Sequence, residues 1–178
     1  MPLARTSETA STSSAMSSSM SRFYARLLRC LGHYRLPALL IKHVLSKVDQ
    51  VLIRGSRGRF SVSGRQFTTM LLTTAGRTSG KDRTVPVYYV RDGENLVAAS
   101  ENFGLHAAAQ WPKNLIANPV ARIDLGGMAA VYRVRPATPQ EVDRNMPKLL
   151  QMWPAHDTYL KRTGIRYVFV FEPTGAVT

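Results

Sequence analysis

Two pairs of short β-like runs, each split by a turn signal, constrain the fold of this chain most. Residues 84–91 and 95–100 flank Asp92-Gly93, and residues 121–125 and 129–136 flank Gly126-Gly127. Asp-Gly and Gly-Gly supply the positive φ that tight hairpins need, so each pair reads as two antiparallel neighbours. A run over 68–74 precedes them, and "RYVFVFEP" reads as a closing strand. Strands that pair through hairpins, with helices inserted late, predict an antiparallel barrel or sheet in a mainly β, α+β chain rather than a βαβ array.

The helices carry their own punctuation. "HAAAQWPKNLIAN" has helical character and is stopped by Asn118-Pro119, because the residue before proline is driven out of the helical region. "TPQEVDRNMPKLLQMW" opens a second helix. Thr138 is its N-cap, Pro139 its first residue, and Glu141 completes a capping box.

Composition divides the chain into three. Residues 1–21 are rich in Ser and Thr and read as a disordered tail. Residues 22–65 read as a basic amphipathic helical extension and a glycine-punctuated loop, and residues 66–178 as the barrel domain. In the extension Phe23, Leu27, Leu31 and Tyr34, then Leu40, Val44 and Val48, keep helical spacing, with Pro37 as a break or kink. Arg22, Arg26, Arg29, Arg35, Lys42 and Lys47 interleave with that apolar face. This is the pattern of a helix packed on the domain with a solvated basic face, and also of one lying on an anionic membrane surface, here residues 22–50.

The formal charge of +13 is uneven: residues 1–66 hold eleven Lys and Arg against Glu8 and Asp49, and the rest hold thirteen against nine acids. Cys30 is the only cysteine, which precludes an internal disulfide and fits a reducing cytoplasm. No apolar run reaches the roughly 20 residues of a membrane-spanning helix. The histidines, His33, His43, His106 and His156, are dispersed without an acid or Cys at ligand spacing, so no metal site is expected. No nucleophile elbow is present, which leaves hydrolysis unsupported. The basic balance admits nucleic acid, but the tyrosines alternate as strand core residues do and no nucleic-acid-binding motif appears.

"LLTTAGRTSGKDRTVPVYYV", residues 71–90, is the stretch that generic packing explains least. Arg77, Lys81 and Arg83 crowd one turn beside Thr78, Ser79 and Gly80, and like charges so close call for water or an anion. A nucleoside-triphosphate P-loop fails: only three residues separate Gly76 from Gly80, Asp82 stands where a hydroxyl is needed, and the turn leads into a strand. The remaining readings are a solvated turn and an anion site in which glycine backbone, hydroxyls and arginine forks match phosphate or carboxylate oxygens.

This stretch, with "RDGENLVAAS" and "WPKNLIANP" after it, closely resembles the deazaflavin-dependent nitroreductase family, split β-barrel proteins that bind coenzyme F420. The residues that carry the resemblance are Gly76, Arg77, Thr78, Ser79 and Gly80; Arg83; Pro86, Val87 and Tyr88; Ala99 and Ser100; and Trp111, Asn114, Leu115, Ala117, Asn118 and Pro119. It spans about residues 66–173.

The resemblance implies an F420H2-dependent oxidoreductase passing hydride to a quinone or another electron-poor, nitro-type acceptor. It implies coenzyme contacts from Arg77, Thr78, Ser79 and Lys81; from Arg83, Thr84, Val85, Pro86, Val87 and Tyr88; from Ala98, Ala99 and Ser100; and from Gln110, Trp111, Lys113 and Asn114. The cations among these would meet the phosphodiester and polyglutamate tail. His156 and Tyr159 are the candidates for positioning the acceptor or giving it a proton. The rival reading is a non-catalytic binder of a lipid or flavin-type ligand on the same barrel. Two departures from the family pattern stand out. Nitroimidazole-reducing relatives carry a tyrosine cluster where this chain has Trp153, His156 and Tyr159, and Glu101 stands where a relative has lysine.

Overall fold

The computed structural model describes residues 67–105 and 109–177. The basic segment over 22–65 and the tail before it lie outside the described residues. Seven strands form one antiparallel sheet: β1 (Thr69–Ala75), β2 (Asp82–Tyr88), β3 (Val90–Asp92), β4 (Asn95–Ser100), β5 (Val120–Asp124), β6 (Ala129–Pro136) and β7 (Tyr167–Val177). Three helices accompany them among the described residues: α1 (Gln110–Ala117), α2 (Pro139–Met152) and α3 (Ala155–Thr163).

The strands lie in the order β2-β1-β5-β6-β7-β4-β3. The run expected as one strand over 84–91 is therefore two, and they form opposite edges of the sheet. Only Tyr89 separates them. One residue advances the chain by about 3.5 Å, so the two edges must meet and the sheet must curl on itself. Tyr89 marks the seam: it is buried, and its N–H donates to the Thr68 carbonyl at 3.1 Å. The expected split barrel is borne out as a curled antiparallel sheet with β2 and β3 at its edges.

Strand alternation builds two cores. Met70, Leu72, Val87, Leu96, Ala98, Ile123, Phe169 and Phe171 fill the barrel, with Leu115 entering from α1. Ala99 belongs to a second cluster outside the barrel, with Phe67, Leu149, Trp153 and Tyr159. Ala98 and Ala99 part company because successive strand residues point to opposite faces. The hairpins form where the glycines predict them, with Gly93 at φ 64°, Gly126 at φ 73° and Gly127 at φ 93°.

The Thr138 capping box is realised: the Glu141 N–H donates to Thr138 Oγ1 at 3.3 Å, and the Thr138 N–H to Glu141 Oε2 at 2.8 Å. Asn145, fully buried, pins α2 to the β3 hairpin by donating to Asp92 Oδ2 at 2.9 Å. Helix α3 is not anticipated in the sequence, because its nine residues are mostly polar. Its legible marks are Asp157 in the first turn, Lys161 and Arg162 in the last, and Gly164 as a left-handed C-cap at φ 67°.

Candidate active site

Helix α1 lies across the rim of the barrel and presents three residues of one face to it. Trp111 packs 5.7 Å from the Phe169 ring, Leu115 is in the core, and Asn114, 4 % exposed, works as a brace. Asn114 Nδ2 donates to Thr74 Oγ1 at 3.1 Å, and Asn114 Oδ1 accepts from the Arg77 N–H at 3.2 Å. Arg77 Nη1 donates to Gln110 Oε1 at 2.8 Å, a second tie between turn and helix. Pro112 sits in the first turn of α1, where its missing N–H leaves no gap in the helix.

The turn over 76–81 is closed from within. The Gly76 N–H donates to the Lys81 carbonyl at 2.9 Å and the Gly80 N–H to the Gly76 carbonyl at 2.7 Å. Gly80 stands at φ 65°, where a side chain would be strained. A Cβ on Gly76 would come within 3.0 Å of Ser79 Oγ and 3.2 Å of the Lys81 carbonyl. Arg83 is the cross-strand partner of Thr74 and so shares its face, the side on which Asn114 bonds. Thr84 and Thr73, the next pair, join hydroxyls at 2.8 Å.

Arg77, Thr78, Ser79, Lys81 and Arg83 are exposed and Lys113 is half-buried. Among the described residues none of the four cations is in an ion pair. Arg77's one side-chain partner, Gln110, is neutral. Among the described residues a fixed turn therefore holds cations that form no ion pair, even with the neighbouring Asp82, an arrangement that fits phosphate and carboxylate groups. Of the strand residues expected near it, Val87, Ala98, Ala99 and Ser100 are buried, and Val85 and Pro86 partly so.

Tyr88 joins this rim to a second group of residues. Its ring stacks on Phe67 at 5.3 Å and lies 5.7 Å from Trp153. Trp153 hydrogen-bonds the Tyr159 hydroxyl, and burial nevertheless drives the Tyr159 pKa well up, so it stays a neutral phenol. One turn earlier on α3, His156 Nδ1 is 2.6 Å from Glu101 Oε2. Arg166 Nε donates to the other Glu101 oxygen at 2.6 Å, and Arg166 Nη2 reaches Asp157 at 3.1 Å. Glu101 is 3 % and His156 6 % exposed, and His156 Nε2 is buried without a hydrogen-bond partner among the described residues.

Sequence spacing left His156 without an acid. The fold supplies Glu101 from 55 residues away and adds Arg166, which no local pattern singles out. The structure thus sorts the expected residues into two sets. Arg77 to Arg83 and Gln110 to Asn114 meet at the rim, whereas His156 and Tyr159 lie in the outer cluster and touch the motif through Tyr88 and Trp153.

A family model described as F420H(2)-dependent quinone reductase matches residues 47–173. An F420H(2)-dependent quinone reductase of Mycobacterium tuberculosis is 29% identical over 109 residues, 58% of this chain and 72% of that protein. Among solved structures, one of an F420-H2 dependent reductase superposes with TM-score 0.54 at 24% identity, over 59% of this chain and 94% of that one. Another, a domain-swapped dimer, superposes with TM-score 0.56 at 23% identity, over 71% of this chain and 94% of its own. These two establish a shared fold. The family match extends over most of the chain and takes in both the cationic turn and α1, and it decides the matter: this chain belongs to the F420H(2)-dependent quinone reductase family, oxidoreductases whose cofactor is coenzyme F420.

Proposed function

We propose that Arg77, Lys81, Arg83 and Lys113 hold the anionic end of F420 and that the chain passes reducing equivalents from F420H2 to a quinone. The observation that carries this is the Asn114-braced turn, whose cations have no acid partner among the described residues. When bound, F420H2 supplies a hydride. Thr78 and Ser79 offer hydroxyls beside those cations, and the backbone of Thr84, Val85, Pro86 and Val87 offers main-chain polar groups on an apolar strand. Asn114 and Gln110 keep Arg77 from swinging into solvent, which lowers the entropy lost when it grips an anion. Ala98, Ala99 and Ser100 hold the neighbouring strand at a fixed distance, and Trp111 sets the depth of α1. Tyr88, half-buried and backed by the buried Trp153, offers its aromatic ring to a flat acceptor. Tyr159, a neutral phenol, and His156 orient the acceptor and return a proton to it.

The basic segment over 22–50 is proposed, on its composition, as the contact with an anionic membrane surface where a lipophilic quinone resides.

The test is a titration of the purified full chain with F420, followed by oxidation of F420H2 after adding menadione. Arg83→Ala is expected to weaken binding about tenfold or more and to leave the melting temperature nearly unchanged. Unaltered binding by Arg83→Ala and Arg77→Ala together would refute the anionic anchor.

A further inference from the structure

Two departures from the family pattern, acid at Glu101 and imidazole at His156, lie in different parts of the sequence and bond to each other in the fold. Glu101 directly follows β4 and His156 sits on α3, with 2.6 Å between Oε2 and Nδ1. We propose that they form one proton-delivery device for the quinone, with His156 Nε2 as the atom that carries the proton and Glu101 as its positioning residue. The proposal rests on the quinone reductase reading above.

Glu101 can accept from Nδ1–H both when the ring is neutral and when it is charged. Arg166 Nε occupies its other oxygen at 2.6 Å, so the carboxylate is fixed on two sides and cannot rotate away. With Nδ1–H committed, the exchangeable position is Nε2. That atom is buried and, among the described residues, without a partner, an unusual state for a ring nitrogen and the one ring position that no protein group holds.

The balance is simple. The acceptor gains a hydride, that is one proton with two electrons, from the reduced coenzyme, which is thereby oxidised, and becomes a hydroquinone monoanion. Nε2–H of the charged ring breaks, a new O–H forms, and the ring turns neutral while its Nδ1–H bond to Glu101 persists. Water then restores the proton.

The backbone after Glu101 supports the assignment. Asn102, Phe103 and Gly104 stand in succession at φ 48°, 57° and 69°, a left-handed turn that two non-glycine residues adopt at a cost. It is held against α3, with Phe103 6.1 Å from the Tyr159 ring and Gly104 so close that a Cβ would reach Tyr159 at 3.0 Å.

The experiment compares the full chain with Glu101→Gln and His156→Gln. Nitrogen-detected NMR reads the His156 tautomer without coenzyme. F420 titration reads coenzyme affinity, and menadione reduction in H2O and D2O reads proton delivery. We expect Nδ1–H in the parent and a mixture in Glu101→Gln. Coenzyme affinity should stay within twofold in both variants, while kcat falls about 100-fold in His156→Gln, the low end for general acid catalysis, with loss of the solvent isotope effect. His156→Gln keeps the Glu101–Arg166 pair and decides the matter if Glu101→Gln fails to fold. Full kcat in a folded His156→Gln would overturn the proposal, as would parallel loss of coenzyme affinity and kcat, which marks a merely structural pair. A parent that does not bind F420 would defeat the coenzyme site itself and the proton role with it.

Discussion

The Asn114 amide donates to the buried Thr74 hydroxyl at 3.1 Å, across 40 residues of sequence, and its carbonyl oxygen accepts the Arg77 N–H. One side chain thus registers α1, β1 and the cationic turn against each other. Asn114→Ala leaves a buried hydroxyl and an amide without partners, a loss of about 1–3 kcal/mol in chemical denaturation. It should also weaken F420 binding, because Arg77 loses its brace. Asn114→Asp keeps the acceptor and loses the donor, so it should retain more coenzyme affinity than Asn114→Ala; the reverse order would contradict the brace.

If the turn binds an anion through its cations, F420 affinity must fall steeply with salt. Arg77→Ala and Arg83→Ala should each lower affinity by roughly tenfold, in line with about 1.5–3 kcal/mol for charge-assisted hydrogen bonds, and each should flatten the salt dependence. Titrations at three ionic strengths check this. A parent affinity indifferent to salt would place the coenzyme elsewhere.

Two glycines should respond differently to alanine. Gly76 has space for a Cβ only if Ser79 moves, so Gly76→Ala should disturb the turn and coenzyme binding more than stability. Gly104, at φ 69° and within reach of Tyr159, should lose about 1–2 kcal/mol of stability from backbone strain alone. Melting curves and F420 titrations of both variants separate the two cases.

Hydrogen bonds from Arg135, together with the capping contacts of Thr138, hold the Glu141 carboxyl pKa down to about 2, below its ordinary 4.5. A depressed carboxyl pKa adds stability that is complete above the unfolded value and is lost as pH falls through the folded one. The stability gap between the parent and Glu141→Gln should therefore be full above pH 5 and shrink between about pH 4.5 and 2. A gap constant across that range, followed by denaturant melts, would mean that the ionisation of Glu141 adds nothing to stability.

The strands were legible because hairpin chemistry is local: Gly93 and Gly127 turn where a positive φ is needed, and the alternation on either side fixes which residues face inward. The α2 start was legible for the same reason, since Thr138 and Glu141 are one turn apart. The rim set from Arg77 to Asn114 was reached through family resemblance, with spacing giving only the cationic turn. Helix α3 escaped notice because its amphipathicity is weak.

What the sequence by itself determined is everything settled within a few residues: turns, caps, strand faces and the concentration of charge at 77–83. Tertiary structure alone decided three things. It made the single residue Tyr89 a seam between opposite sheet edges, it set Asn114 against Thr74, and it enclosed Glu101 with His156 and Arg166. The physical reason is common to all three. Each joins groups that barrel closure brings together from distant positions, and an ion pair between such groups leaves no periodic trace in either segment.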